Sequence, residues 1–212
     1  METKFIISRC RGRRPKQSED LIGTRELLLR AGQEFLTEKG FSSTGIEEIL
    51  KRVGVPKGSF YHYFSSKEAF ALELIEQYAE NVARKLDHHF CNQKLSPLNR
   101  LRAFIDDAKG ELARYEFSRG CLIGILGQEI GGLPESFRFR LKDTFEDWQS
   151  RFSVCLLEAK KTGELSSKAD TKQLAAFFWI GWEGAILRAK LERTAIPLEV
   201  FAELFFALLP TD

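Results

Sequence analysis

The sequence predicts an all-α protein, and three observations support this prediction. Apolar residues recur in almost every segment at the three- and four-residue spacing of amphipathic helices. Turn signals made of glycine, proline and serine divide the chain into pieces of about 10 to 30 residues, which suits globular helices. No segment shows the alternation of apolar and polar residues that identifies a convincing strand. We therefore expect helices along most of the 212 residues.

The first helix is expected to begin near Glu19. It carries Leu28, Ala31 and Phe35 on one face, which therefore packs against the core. Gly40 ends this helix, since glycine readily adopts the left-handed conformation that follows many helices.

Two short helices are expected next, separated by Gly54. The first runs from about Thr44 to Val53, with Thr44 as N-cap and Glu47 completing a capping box. The second opens at Pro56, because proline is tolerated at the first helical position. The buried stripe of the first is Ile46, Ile49 and Leu50.

Longer helices are expected in the rest of the chain. Ser65 or Ser66 caps the fourth, whose apolar stripe is Phe70, Leu74, Tyr78 and Val82. The others are expected at about 97–116, 119–130, 134–163, 170–193 and 197–209, the last with Pro197 near its start.

Several protein classes and sites are disfavoured by composition. The longest apolar run, Ala175 to Trp182, stops at Glu183 and is far shorter than the ~20 residues that span a bilayer. The basic N-terminus lacks the apolar stretch of a secretory signal, so we expect a cytoplasmic, nucleoid-associated protein. Neither the cysteine spacing nor the group His88, His89 and Cys91 gives a complete metal-ligand pattern, so we expect no metal and no other cofactor.

Charge separates a basic head from a mildly acidic body. Residues 1–60 carry 12 Lys and Arg against 8 Asp and Glu, whereas residues 61–212 carry 20 against 22. Residues 1–18 are interpreted as a disordered basic arm, in which Arg11, Arg13 and Arg14 could enter a DNA minor groove. The alternative is a solubilising tail.

The paired short helices form a helix-turn-helix, expected within residues 19–66, whose second helix enters the major groove of DNA. Small residues at Gly58 and Ser59 permit close approach, and Lys57 can reach a guanine edge or a phosphate. Candidate DNA contacts are Thr44, Lys57, Gly58, Ser59, Tyr61, His62 and Lys67, several of them suited to phosphate binding at helix N-termini. The alternative is simple surface placement.

The string VPKGSFYHYFSSKE, within residues 41–70, resembles the TetR family of bacterial regulators. This resemblance implies a DNA-binding transcriptional repressor, not an enzyme, that leaves a palindromic operator when a small inducer binds. It also implies a homodimer and assigns residues 67–212 to a helical ligand-binding and dimerisation domain.

Three further stretches, GCLIGILGQEIGGLP from Gly120, FWIGWEGAILRAKLE from Phe178 and LTEKGFSS, resemble the acrylate-responsive and electrophile-sensing repressors of that family. This narrower resemblance implies an inducer that is an unsaturated carboxylate or an electrophile. It also implies that Cys121 senses the inducer and that Lys190 assists it.

The position of Cys121 gives a separate argument. Cys121 follows Gly120 at the expected start of a helix, where the dipole lowers a thiol pKa. An inert buried cysteine is the alternative, and the same fold could bind a lipophilic ligand noncovalently. The substitution Cys121→Ser separates these alternatives.

Residues expected to line the ligand pocket are mostly large aromatic and polar side chains in the helical half. They are Phe104, Tyr115, Cys121, Gln128, Trp148, Trp179, Trp182, Glu183, Arg188 and Lys190. An arginine in an apolar pocket suits a carboxylate ligand, because its planar fork binds both oxygens. Ordinary core packing is the alternative for each aromatic residue.

The segment 174–191 has one broad apolar face that needs a partner. Gly181 and Gly184 each cost about 1 kcal/mol in a helix, which close approach of another helix can offset. We expect a symmetric four-helix dimer interface. Its expected residues are Phe178, Trp182, Ala185, Ala189, Phe201, Leu204, Phe205 and Leu208.

Two other functions are alternatives to a ligand-responsive regulator. A small enzyme is disfavoured, because no nucleotide loop or nucleophile–base spacing is present. A DNA-binding protein without a sensing function is the other alternative, and it leaves the large C-terminal half without a purpose.

Overall fold

The computed structural model describes residues 18–211, and within this range the chain is helical, with no strand. The all-α prediction is therefore confirmed. The cations Arg11, Arg13 and Arg14 of the expected arm lie outside the described residues. The helices are α1 (Ser18–Lys39), α2 (Ile46–Val53), α3 (Lys57–Tyr63), α4 (Lys67–Phe90), α5 (Pro97–Arg114), α6 (Leu122–Gln128), α7 (Glu135–Lys161), α8 (Thr171–Glu192) and α9 (Ile196–Ala207). None of the described helices is both long and apolar enough to cross a membrane.

Helices α1, α2 and α3 pack together with the start of α4. Gly40 and Gly54 end α1 and α2 with φ of +83° and +74°, the left-handed conformation expected of them. The anchor of α3 is Phe60, which is fully buried with its ring centroid 5.2 Å from that of Phe70. The side chain of Ser66 accepts a hydrogen bond from the Ala69 N–H, which confirms a serine cap on α4.

The start of α2 differs from the prediction. Its N-cap is Gly45, whose N–H donates to the Glu48 carboxylate at 3.1 Å, so Thr44 and Glu47 do not form the capping box. Thr44 is instead buried, and its hydroxyl donates to the Gly40 carbonyl at 2.6 Å. This contact braces the turn between α1 and α2.

The C-terminal half is built around α4, α5, α7 and α8, with α9 covering α8. The core is aromatic: Phe152 stacks on Phe178 with centroids 4.2 Å apart, and Trp148 is 1% exposed. Gly181 meets Phe201 of α9, because a Cβ at this glycine would lie 2.1 Å from the ring. Close helix approach therefore does explain Gly181, but the second helix belongs to the same chain.

The expected dimer contacts need correction. Phe178, Trp182, Ala185, Ala189 and Phe205 are buried inside the chain, and Phe201 is partly buried against the same core. Only Leu204 and Leu208 of the expected set are exposed. The exposed apolar residues of this region instead form what we call the outer stripe: Phe177, Ile180, Gly184, Leu187 and Leu191 of α8 with Ile196, Val200 and Leu204 of α9 and Leu208 just after it.

Candidate DNA-binding helix and ligand cavity

The exposed surface of α3 contains four of the seven predicted DNA contacts that the structure describes. Lys57, Gly58, Tyr61 and His62 are exposed, with Tyr61 51% accessible, whereas Ser59 is half-buried. No described atom outside the neighbouring residues and the local helix backbone lies within 4 Å of a Cβ built on Gly58. Because buried Phe60 anchors α3 to the core, the polar side of this helix faces solvent.

Two predicted contacts are engaged inside the chain. Lys67 donates to the Phe41 carbonyl at 2.7 Å, and its ammonium lies 4.1 Å from the centroid of the Phe41 ring. Partial burial lowers the pKa of Lys67, while the nearby Glu129 carboxylate opposes this effect. The second predicted contact engaged inside the chain is Thr44, which is buried and whose hydroxyl donates to the Gly40 carbonyl. Neither side chain belongs to the exposed polar surface.

A cavity of about 140 Å³ lies among α4, α5, α7 and α8. Seven of the ten expected pocket residues line it: Phe104, Tyr115, Cys121, Trp148, Trp179, Trp182 and Glu183. The indoles of Trp148 and Trp179 form one wall, with centroids 5.0 Å apart. At another edge the Arg119 guanidinium lies 4.0 Å from the centroid of the Tyr115 ring. Tyr78 and Arg119 also line this cavity and were missed in the sequence.

Cys121, Tyr78 and Glu183 meet at a polar end of the cavity. Burial raises the pKa of the Cys121 thiol well above its ordinary value, and the Glu183 carboxylate raises it further. Cys121 is the N-cap of α6, so the expected lowering by the dipole is outweighed by burial. Because its pKa is raised, the Cys121 thiol is protonated at neutral pH. Burial also raises the pKa of Glu183, to about 7.

The remaining expected pocket residues lie elsewhere. Gln128 and Lys190 line an adjoining cleft of about 510 Å³, which shares Cys121 and Glu183 with the cavity. Arg188 contradicts the expectation, because it is exposed on α8 and its Nε donates to Glu192 at 2.7 Å. The arginine at the cavity is Arg119.

A junction connects the end of α1 to the C-terminal half. Glu129, just after α6, accepts hydrogen bonds from the N–H groups of Phe41 and Ser42 at 3.1 and 2.9 Å. Lys190 donates to the carbonyls of Thr37 and Glu38 at the end of α1. These contacts between distant parts of the sequence fix the helix-turn-helix against α6 and α8.

The same junction includes the residue before Cys121. The N–H of Gly120 donates to the Thr37 carbonyl at 3.0 Å, and Arg119 pairs with Glu38 at 3.2 Å. The cavity wall at Cys121 is thereby connected to the end of α1 through the two preceding residues. Lys190 contacts α1 rather than the thiol, so its expected role beside Cys121 has no support in this geometry. Among residues 23–211, whose side chains the structure describes, no cluster of three His, Cys, Asp or Glu side chains is arranged to hold a metal.

Two known sequence families match the chain. Residues 28–74 match the family described as bacterial regulatory proteins, tetR family. Residues 97–205 match the tetracyclin repressor-like C-terminal domain. The first match covers the helix-turn-helix, and the second covers α5, α7 and α8 of the cavity but not α4.

Individual proteins are similar over nearly their whole length. The transcriptional regulator AcuR of Cereibacter sphaeroides is 52% identical over 91% of this chain and 88% of its own. The HTH-type transcriptional repressor NemR of Escherichia coli is 31% identical over 83% of this chain and 88% of its own. A crystal structure of a regulatory protein TetR from Rhodobacter sphaeroides, 52% identical, has a TM-score of 0.86 and covers 88% of this chain and 98% of its own.

Proposed function

This chain belongs to the TetR family of bacterial regulatory proteins, and from that premise we propose that it is a repressor whose operator binding is released by a small inducer. Its relatives are transcriptional regulators, so the protein is a DNA-binding regulator and not an enzyme. The sequence resemblance to this family is confirmed.

The observation that carries the proposal is the exposed polar surface of α3. Lys57, Tyr61 and His62 supply donors for phosphates and base edges, and Gly58 leaves room for the backbone to approach them. DNA binding is tested by titrating the purified chain with a duplex taken from the DNA that flanks its gene. Binding should weaken steeply as salt rises, because phosphate contacts release counterions.

We propose that the outer stripe forms the homodimer interface. On α8 its members are spaced alternately three and four residues apart, which is the spacing of a helix-packing seam. Ile180 and Leu191 are 74% and 75% exposed, and such a large apolar surface marks an interaction site. A symmetric pairing of α8 and α9 would bury it and place two α3 helices about 34–36 Å apart, one turn of DNA.

The inducer is proposed to bind in the cavity and to act through the junction. A ligand shifts a conformational equilibrium only by its different affinities for the two states. Here the ligand would contact Cys121 and Glu183, whose neighbours Gly120 and Lys190 hold the end of α1. A shift of this wall would change the separation of the two α3 helices in the dimer and so release the operator.

The junction gives a testable prediction. The substitution Glu129→Ala removes the acceptor for the Phe41 and Ser42 N–H groups, so it should destabilise the fold by about 1–2 kcal/mol and lower the urea midpoint. Hydrogen exchange at residues 37–45 should accelerate. Glu135→Ala is the matched control, since Glu135 is exposed and its carboxylate pairs with Arg138 of the same helix. Equal exchange in the two variants would contradict the role of Glu129.

Noncovalent binding is favoured over a reaction at Cys121, because the thiolate is the nucleophile and burial keeps this thiol protonated. We expect iodoacetamide to modify exposed Cys91 at least about tenfold faster than Cys121 at neutral pH. Mass spectrometry of peptides from one reaction measures both rates, so Cys91 is an internal control. Faster modification of Cys121 would restore the covalent mechanism.

A further inference from the structure

Two adjacent glutamates lie in the first turn of α2, and their side chains have different surroundings. Glu48 is engaged inside the chain, because its carboxylate accepts hydrogen bonds from the Gly45 N–H at 3.1 Å and from the Lys39 ammonium at 2.7 Å. The hydrogen bond from Lys39 lowers the pKa of Glu48. Adjacent residues of a helix do not face each other, so Glu47 points away from this site.

Glu47 is paired with the first residue of α3. Its carboxylate Oε1 lies 3.3 Å from Lys57 Nζ, and the two side chains are 81% and 63% exposed. An ion pair as exposed as this contributes little to the stability of a fold. Stability is therefore a weak reason for a carboxylate at this position, and the function of the surface needs to be considered.

The carboxylate of Glu47 lies on the surface that binds DNA in the proposed function. The sequence of α3 itself contains no acidic residue. A carboxylate beside a phosphate is repelled, since both groups are negative. If Lys57 bound a phosphate, it would bring the paired carboxylate close to the same backbone. A base edge is different, because it can offer a hydrogen-bond donor that a carboxylate accepts.

The major-groove edge of a G·C pair complements this ion pair. Guanine presents the acceptors O6 and N7, and cytosine presents its N4 amino group as a donor. O6 and the N4 nitrogen are hydrogen-bonded to each other, so they are about 2.9 Å apart. Lys57 and Glu47 present a donor and an acceptor 3.3 Å apart. The two pairs of atoms therefore match in spacing and in polarity.

We propose that Lys57 and Glu47 together read one G·C pair in each half-site of the operator. Lys57 donates to guanine O6 and N7, and Glu47 accepts from the cytosine amino group. Glu47 is thus a specificity-determining residue that lies on α2 and not on α3. This inference rests on the proposed function, since it needs α3 in the major groove.

One base pair in one orientation satisfies both side chains. An A·T pair in place of G·C puts the adenine N6 donor opposite Lys57 and the thymine O4 acceptor opposite Glu47, so both contacts become unfavourable. A reversed C·G pair exchanges donor and acceptor in the same way. Changing this base pair in one half-site should therefore weaken binding by about tenfold to a hundredfold.

The test measures the affinity of the full chain for a protected duplex and for duplexes in which each base pair of one half-site is changed in turn. Fluorescence anisotropy gives each affinity. In Glu47→Ala and in Lys57→Met, the loss caused by A·T at the same G·C position should be about tenfold smaller than in the wild type. Losses at the other positions should stay as in the wild type. A ratio of two affinities does not depend on the fraction of folded protein, so partial unfolding of a variant leaves the result readable.

A modified base isolates the contribution of Glu47. N4-methylcytosine keeps its pairing with guanine, but a methyl group replaces the amino hydrogen that faces the groove. At the predicted position it should weaken wild-type binding about tenfold and leave Glu47→Ala binding unchanged. Glu80→Ala is the matched control, because Glu80 is exposed on α4, pairs with Arg84 and carries the same charge. This variant should respond to the modified base as the wild type does.

Three results would overturn the proposal. The first is unchanged discrimination at every position in Glu47→Ala, which would leave Glu47 a role in the helix dipole alone. The second is equally tighter binding of Glu47→Ala to all duplexes, which would mean that Glu47 only repels phosphates. The third is an effect of Glu47→Ala and Lys57→Met at different base pairs. Absence of any bound duplex would instead contradict the proposed function, so the two failures are distinguishable.

Discussion

Replacing Ile180 and Leu204 together by glutamate is expected to give monomers and to weaken binding to a two-half-site duplex by about a hundredfold to ten-thousandfold. These side chains are 74% and 56% exposed in one chain, so their replacement leaves the fold of that chain intact. In a symmetric dimer the two substitutions would bury four unpaired carboxylates, which is strongly unfavourable. A monomer also loses the second half-site contact. Analytical ultracentrifugation and fluorescence anisotropy measure the two effects.

A matched control for this variant is Val154→Glu. Val154 is 57% exposed on α7, outside the outer stripe, and the same charge is added there. This variant should remain a dimer with wild-type affinity for DNA. If the Ile180 and Leu204 double variant also stayed dimeric, the outer stripe would not be the interface.

Gly58→Glu is expected to reduce operator affinity by about a hundredfold while leaving the fold unchanged. A Cβ at Gly58 meets no described atom within 4 Å beyond the local backbone, so the free chain has room for the new side chain. In the major groove, the carboxylate would occupy the space of the base edges and repel the phosphates. Each lost base contact costs about 1–3 kcal/mol of binding free energy, so the loss of one or two contacts accounts for a hundredfold lower affinity. Fluorescence anisotropy with the duplex measures it.

The control is the same substitution at another glycine with open surroundings. Gly110 is exposed on α5, and its added Cβ likewise meets no described atom beyond the local backbone within 4 Å. Gly110→Glu should bind the duplex as the wild type does, and both variants should show wild-type circular dichroism and melting. Wild-type DNA affinity in Gly58→Glu would remove α3 from the binding surface.

The ends of several helices were predictable because local chemistry determines them, but Pro56 is the N-cap of α3 and not its first residue as expected. Gly40 and Gly54 ended their helices as expected, and a serine capped α4, since these effects act within one turn. Thr44 was assigned wrongly as a cap, because Gly45 and Glu48 offered the same backbone contact one residue later. A sequence with two adjacent capping options does not reveal which one the fold uses.

The face of α8 that packs inside the chain could not be predicted. This helix is apolar nearly all round, so the broad apolar face inferred from its sequence did not separate the internal side from the outer stripe. The sequence interpretation assigned Phe178, Trp182 and Ala185 to a partner chain, but they are buried in the same chain's core. Which stripe is internal depends on α7 and α9, whose positions are set by tertiary packing.

Seven residues of the cavity lining were anticipated, whereas the junction was not. Aromatic residues and Glu183 on α8 indicated a pocket through their composition alone. Glu129 meets Phe41 and Ser42 across nearly ninety positions, and Arg119 meets Glu38 across 81, so no local pattern identifies either contact. The raised pKa of Cys121 had the same origin, because burial by distant helices outweighed the local dipole.

Footprinting of the DNA that flanks the gene, with the full-length chain at low ionic strength, tests the central claim most directly. If α3 reads DNA in a dimer, the protein should protect a palindromic segment with half-sites about one helical turn apart, and Gly58→Glu should abolish this protection. Absence of any protected segment, or equal protection by Gly58→Glu, would contradict it.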